Sequence, residues 1–269
     1  MISVDIEKLA EDIRNTFSCK HPPVDVLKIA EEEGILLAPG NFGPDFCGRI
    51  EFHRPEGKFI LFYPETVYQS SQARARFSIG HELGHYYIPE HRDALLRGLS
   101  HNSTAGFICS DTFEREADEF AAALLVPRSY LDQRLNRRGF LTLKEVSRLA
   151  AEWKASLTST AIRYVKYTPE ACAVVLSQRG RILYYIASDE LAASGFKRLS
   201  IPCVPRDSAT AILGAGNRDN NFLEGSTTCE AWFPAHWSNA KVWEESFPLG
   251  YTNIVLTLLS FENLAATRE

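Results

Sequence analysis

The five-residue stretch HELGH at residues 81–85 constrains the fold of this chain more than any other. It lies inside residues 71–87, a segment whose pattern predicts a helix. Because helical residues four apart share one face, His81 and His85 can hold one metal ion together. The carboxylate of Glu82, beside the first histidine, can then reach a metal-bound water. A catalytic metal also needs a third protein ligand and an open position, so the fold must bring another side chain to this face.

The next acidic helix, predicted from residue 111 or 112 to 125, offers that third ligand. Glu114 and Asp118 are four residues apart and border the apolar face of this helix. Glu114 is placed to bind the metal, and Asp118 to accept a hydrogen bond from a ligand histidine. Glu116 lies roughly 200° around the helix from Glu114, so both cannot face the metal. Without the upstream HExxH motif, a solvated acidic face would be the simpler interpretation.

Four other side chains near the motif could also take part in the chemistry of the site. His91 and His101 could each be a third ligand. Both fall in residues 90–110, which read as a loop, and an exposed loop histidine is the commoner case. Tyr86 and Tyr87 end the motif helix, and one of them could stabilise an oxyanion. Packing in the core or at the helix end is the simpler role for both tyrosines.

Near Thr168-Pro169 the sequence pattern changes from mainly helical to mainly strand-forming, which predicts a domain boundary. Helices and one hairpin, residues 47–52 with 58–63, precede it, and a capping box at 142–145 opens the first helix of a helix-turn-helix-like pair. Strands are expected beyond it, at 173–176, 182–186, 229–233, 241–247 and 253–261. We therefore predict an α+β fold with three parts: a helical domain that contains the HExxH motif and a small β-hairpin sheet at 1–127, a helix-turn-helix-like segment at 128–168, and a mixed α/β domain with an antiparallel sheet at 169–269.

Composition excludes several classes of protein. The hydrophobic share is 45% and the charged share 23%, both normal for a globular chain. No apolar run is long enough to cross a membrane, and the N-terminus is charged from Asp5, unlike a secretory leader. The 6 cysteines show no CxxC spacing, which indicates reduced thiols rather than a zinc–thiolate site. We expect a cytoplasmic protein that does not engage membranes.

Positive charge is concentrated between residues 128 and 168. This segment has nine basic and three acidic residues, although the whole chain has a net charge of −5. A basic helix pair can bind phosphates weakly, dock an acidic protein surface, or simply be solvated. The overall negative charge argues against extensive coating of nucleic acid.

Two stretches together resemble the ImmA/IrrE family of bacterial metallopeptidases. They read RARFSIGHELGHY at residues 74–86 and EREADEFAAALLVP at residues 114–127. The resemblance implies one Zn²⁺ held by His81, His85 and Glu114, with Glu82 as general base. It implies as substrate a helix-turn-helix transcriptional repressor, cut to derepress stress or mobile-element genes. It also implies that a helix-turn-helix-like unit and a GAF-like sensor domain follow the peptidase.

These observations predict a zinc metallo-endopeptidase. The choice of zinc follows from the ligand types, which manganese and iron also accept. The alternative is a non-catalytic, zinc-stabilised transcription regulator that binds DNA through the basic helix pair. The presence of Glu82 favours the enzyme, because a structural metal site needs no base at that position.

Overall fold

The computed structural model describes residues 4–19, 21–43, 46–65, 72–98, 103–104, 112–215, 221–234, 240–250 and 253–262. The chain divides into two compact units. The first comprises Met1–Arg128 together with Ala150–Ser159, and the second comprises Ser129–Leu149 together with Thr160–Glu269. The three-part division expected from the sequence stays a prediction.

The first unit combines helices with a small mixed sheet. Its helices are α1 (Ile6–Thr16), α2 (Val26–Glu32), α3 (Gln72–Tyr87), α4 (Pro89–Leu96) and α5 (Thr112–Leu125), and its strands are β1 (Leu36–Gly40), β2 (Phe46–His53), β3 (Lys58–Pro64) and the two-residue β4 (Ser103–Thr104). Within the described residues the strand order is β1-β3-β2-β4. Strand β1 is parallel to β3, whereas β2 is antiparallel to both β3 and β4. The predicted hairpin between residues 47–52 and 58–63 is therefore confirmed.

Local sequence explains where the first helices begin. Asp5 and Asp25 precede α1 and α2, and each carboxylate accepts a hydrogen bond from a backbone N–H three residues on, at 3.0 Å for Lys8 and 3.2 Å for Lys28. This is the N-cap interaction that satisfies an orphan helical donor.

Helix α3 lies in the middle of the first unit and is buried on nearly every side. Its core positions include Ala75, Ile79 and Leu83. Two glycines on the same helix, Gly80 and Gly84, face helix α5. Because glycine has no Cβ, the backbones of α3 and α5 approach closely, which sets the two metal-binding segments side by side.

The expectation of a loop directly after Pro89 is wrong. Pro89 is the first residue of helix α4, and Ile88 before it is extended. Proline ends α3 because it cannot continue the hydrogen-bond ladder, yet it starts α4 because the first helical N–H needs no partner. Residues 99–102 and 105–110, which include His101, lie outside the described residues.

Three helices follow α5: α6 (Arg128–Arg138), α7 (Leu143–Glu152) and α8 (Leu157–Tyr167). The predicted capping box that opens α7 is confirmed. Thr142 N–H donates to Glu145 Oε2 at 3.0 Å, and Glu145 N–H donates to Thr142 Oγ1 at 3.2 Å. Each residue satisfies a donor of the other, which anchors the start of the helix.

The second unit contains an antiparallel sheet built from β5 (Cys172–Gln178), β6 (Arg181–Ala187), β7 (Leu223–Thr228), β8 (Lys241–Pro248) and β9 (Ile254–Glu262). Among the described residues the strand order is β6-β5-β9-β8-β7. The antiparallel sheet and the hairpin that begins it are as expected. The GAF-like and helix-turn-helix-like assignments stay predictions.

The short elements of the second unit differ from expectation. The sequence predicted a strand at 229–233, but Cys229–Trp232 is a helical turn, α11, whose Trp232 side chain is fully buried. Two other helical segments were not anticipated: α9 (Asp189–Leu191), which continues into a π-helical turn at Ala192–Phe196, and α10 (Ala209–Gly214). Strand β7 was also missed. Its residues alternate between partly buried and exposed and include only one large apolar side chain, so its apolar pattern is weak.

Within the described part of the chain, no helix combines the length and the apolar character that a membrane span requires.

Candidate metal centre

Helices α3 and α5 bring His81, His85 and Glu114 together. One ligand atom from each residue lies within 4.8 Å of the others. The two histidines are one turn apart on α3, and their Nε2 atoms are 3.1 Å apart. Glu114 stands in the first turn of α5, with Oε2 3.2 Å from Nε2 of His81 and Oε1 3.4 Å from Nε2 of His85. The side chains predicted to be ligands therefore meet at one point.

The spacing and chemistry of these atoms fit a tetrahedral divalent metal ion. Metal–nitrogen and metal–oxygen bonds of about 2.0–2.1 Å place neighbouring ligand atoms of a tetrahedron about 3.3–3.4 Å apart. The three observed distances, 3.1, 3.2 and 3.4 Å, are close to that spacing. Two imidazole nitrogens and one carboxylate also form a donor set suited to zinc and related metals. The residues present can thus hold the ion that the sequence implied.

Electrostatics favour positive charge at this point. Hydrogen bonds from His81 and His85 hold the pKa of Glu114 well below its usual range. Burial lowers the pKa of His81, but hydrogen bonds to Asp118 and Glu114 outweigh it and raise that pKa to about 10. The carboxylates therefore stabilise a positive charge among the ligand atoms, whether a proton or a metal ion carries it.

Asp118 lies behind His81, on the side away from His85. Its Oδ1 is 2.8 Å from Nδ1 of His81. When Nε2 of His81 binds a metal ion through its lone pair, the ring proton lies on Nδ1, which donates a hydrogen bond to Asp118. A carboxylate in this position orients a ligand histidine and increases its basicity.

The side chain of Glu82 lies against strand β2. It is fully buried, and its Oε2 accepts a hydrogen bond from the backbone N–H of Ile50 at 2.9 Å. A Cβ atom at Gly48 would lie 3.2 Å from Oε1 of Glu82, so glycine there leaves room for the carboxylate. The sheet thus holds the orientation of the predicted base.

His91 is not the exposed loop histidine that the sequence suggested. It lies on α4 and is fully buried. Its Nδ1 is 3.1 Å from Nδ1 of His85, and its Nε2 is 2.9 Å from Oε2 of Glu116. Both ring nitrogens therefore face protein partners, and His91 supports His85 rather than replacing Glu114. Pro89 followed by the acidic Glu90 is a helix-start pattern that could have revealed this second helix.

The two tyrosines at the end of α3 take structural positions. The hydroxyl of Tyr86 donates to Oε2 of Glu33 at 2.8 Å, and the guanidinium of Arg92 lies 4.4 Å from the centre of its ring. The ring of Tyr87 packs between Tyr86 and Phe120. Burial raises the pKa of both tyrosines, so neither hydroxyl readily ionises.

Comparison with known proteins identifies the segment that contains these helices. Residues 66–164 match the model of the IrrE N-terminal-like domain, Peptidase M78. Comparison with curated proteins gives no match. The matched segment includes α3, α4 and α5, and hence all three candidate ligands, so the family and the geometry together support a metallopeptidase. The match over residues 66–164 therefore supports the assignment of this part of the chain to the ImmA/IrrE family.

Proposed function

We propose that this protein is a zinc-dependent endopeptidase. The observation that carries the proposal is the meeting of two imidazoles and one carboxylate, beside a buried glutamate that directly follows the first histidine. Three protein ligands leave a fourth position of a tetrahedral ion for water or substrate, whereas structural zinc sites use four protein ligands. One ion per chain is expected.

The residues of the site divide the work of peptide hydrolysis. Zinc held by His81, His85 and Glu114 would act as a Lewis acid that polarises the scissile carbonyl and acidifies a water molecule. The Glu82 carboxylate accepts the proton that this water loses and then delivers it to the leaving nitrogen. The Ile50 N–H keeps the carboxylate oriented through this transfer.

For the substrate, we propose a helix-turn-helix transcriptional repressor whose cleavage derepresses stress or mobile-element genes. This rests on the family assignment. In this proposal, the basic segment 128–168 docks an acidic surface of the partner, since surfaces of opposite charge steer association. In the same proposal, the C-terminal part, residues 169–269, is a GAF-like regulatory domain.

The alternative function, a regulator that binds DNA through the basic helices, rests on the positive charge of residues 128–168. On helix α8 the polar residues that could read bases were Ser159, Thr160, Arg163 and Lys166. The first three are buried, and Arg163 donates to the hydroxyl of Tyr167 at 3.1 Å. Buried side chains do not reach base edges in the major groove, which favours the peptidase.

The test compares Glu82→Gln with wild type and with a control, Glu90→Gln, at an exposed position on α4. Each full-length variant is co-expressed with the repressor whose gene lies nearest to the gene of this protein. Fragments of the repressor are followed by gel and mass spectrometry. Glutamine keeps the shape of Glu82 but accepts no proton, so the cleavage rate should fall ~10²–10⁴-fold. Zinc content should stay at the wild-type level, because Glu82 is not a ligand.

Two results would contradict the proposal. Cleavage by Glu82→Gln at the wild-type rate would show that Glu82 is not the base. Loss of zinc from the same variant would show that Glu82 is a ligand and that the ligand set is wrong. A gel-shift assay at low and physiological salt addresses the alternative, because tight and sequence-selective DNA binding without cleavage would favour the regulator.

A further inference from the structure

We infer that His91 and Glu116 act as positioning residues that orient the ligand His85 through a chain of two hydrogen bonds. The inference rests on the proposed metal site and extends it beyond the ligands. The chain runs from Oε2 of Glu116 to Nε2 of His91 at 2.9 Å, and from Nδ1 of His91 to Nδ1 of His85 at 3.1 Å.

Only one arrangement of ring protons satisfies this chain while His85 binds a metal. Nε2 of His85 faces His81 and Glu114, so it offers its lone pair and its proton lies on Nδ1. That proton is donated to Nδ1 of His91, which must then accept. The proton of neutral His91 lies therefore on Nε2 and is donated to the carboxylate of Glu116. Each bond in the chain has one donor and one acceptor.

Packing holds His91 in this orientation. The residue is fully buried, and its ring stacks on Phe113 with the centroids 4.1 Å apart and the planes 20° apart. Phe113 and Glu116 both belong to α5, so one face of this helix supports the flat side of the ring and the edge that carries Nε2. A rotation of His91 would break the stacking and the hydrogen bond to Glu116 together.

These two hydrogen bonds also give a role to Glu116, the acidic residue that cannot bind the metal together with Glu114. The two carboxylates are two positions apart on α5 and point to different sides of it. Glu114 contacts the ligand histidines directly, whereas Glu116 reaches His85 through His91. His81 is supported directly, without an intervening histidine, because Oδ1 of Asp118 lies 2.8 Å from its Nδ1. Each ligand histidine thus has a carboxylate that selects its metal-binding tautomer.

The test measures zinc affinity of the full chain by competition with a chromophoric chelator. Three variants are compared with wild type: His91→Phe keeps the flat ring but makes no hydrogen bond, His91→Asn keeps an acceptor near the Nδ1 position, and Glu116→Ala removes the end of the chain. Glu90→Gln, one residue before His91 and exposed, is the control. Thermal unfolding in excess chelator measures folding separately from metal binding. Because Glu116 has 38% of its side chain exposed, its replacement should leave the fold intact.

We expect zinc affinity to fall ~10–100-fold in His91→Phe and Glu116→Ala, as for other partners of metal-ligating histidines. His91→Asn should retain more affinity than His91→Phe. In ¹⁵N spectra of the zinc-bound wild type, His85 should carry its proton on Nδ1 and His91 on Nε2.

The inference is overturned if wild type binds zinc and Glu116→Ala and His91→Phe bind it equally well. It is also overturned if the asparagine and phenylalanine variants lose affinity equally, since that would indicate packing alone. If wild type itself binds no zinc, the proposed function fails. If wild type binds zinc but the variants bind it equally well, only the present inference fails, so the two failures are distinguishable.

Discussion

The close contact between α3 and α5 predicts that Gly84→Ala disturbs the metal site from a distance. A Cβ atom at Gly84 would lie 3.0 Å from Cα and 3.2 Å from the carbonyl oxygen of Ala117. Carbon atoms in favourable contact are about 3.5–4.0 Å apart. The contacted atoms are backbone, so a side-chain rotation gives no relief and the two helices must separate by ~0.5–1 Å.

The magnitude follows from two opposing contributions. Overpacking a well-packed interface costs ~1–3 kcal/mol, and replacing glycine by alanine inside a helix returns ~1 kcal/mol. The free energy of unfolding should therefore fall by up to ~2 kcal/mol. Metal affinity should fall as well, because Glu114 lies one turn before Ala117 on α5 and moves with it. Ligand distances tolerate only about ±0.2 Å, which is less than the expected separation.

A matched control lies one turn earlier on α3. A Cβ atom at Gly80 would be 3.4 Å from Cβ and 3.5 Å from Cα of Ala121, at the edge of ordinary contact. Gly80→Ala should keep wild-type zinc affinity and be as stable as wild type or up to ~1 kcal/mol more stable. Urea unfolding in excess chelator and zinc competition are measured for both variants. If Gly84→Ala is as stable as Gly80→Ala and binds zinc equally well, the reasoning about helix contact is wrong.

Two further predictions concern single carboxylates. Burial is the main cause that raises the pKa of Glu245 to about 7; two nearby carboxylates add to the effect, and a hydrogen bond from the N–H of Leu143 opposes it. A carboxyl group with a raised pKa costs stability as pH rises from its ordinary value of 4.5 to about 7, so Glu245→Gln should be more stable than wild type by up to ~3 kcal/mol at pH 8. Urea unfolding should show that this advantage shrinks towards pH 5, and an equal advantage at both pH values would refute the assignment. Glu114→Ala should weaken zinc binding beyond the ~10–100-fold expected for Glu116→Ala, because it removes a ligand atom rather than a support. Zinc competition checks this order, and the reverse order would place Glu116 at the metal instead.

Several parts of this protein could be predicted from local sequence because the relevant interactions are local. The helical repeat by itself puts His81 and His85 on one face of α3, and it puts Glu114 and Asp118 on one face of α5. The capping box at Thr142 joins residues only three apart, so it depends on local sequence alone.

Short elements could not be predicted in the same way. The segment Cys229–Trp232 contains residues that suit a strand, yet it is a helical turn whose Trp232 donates to Oε1 of the buried Glu244 at 2.9 Å. Strand β7 has little apolar character, and its hydrogen bonds are completed by β8. In both cases the structure of a few residues depends on partners distant in the sequence, which outweigh weak local preferences.

The sequence by itself determined which residues could bind a metal, because residue type and helical spacing are sufficient for that. Only the tertiary structure decided which of them meet and what stands behind them. The His91 side chain enters the site because α4 begins at Pro89 and places the imidazole between α3 and α5, where Phe113 and Glu116 hold it. Glu82 is oriented by Ile50 on β2, thirty-two residues earlier in the chain. Such contacts depend on the packing of whole elements against one another, and no local periodicity encodes them.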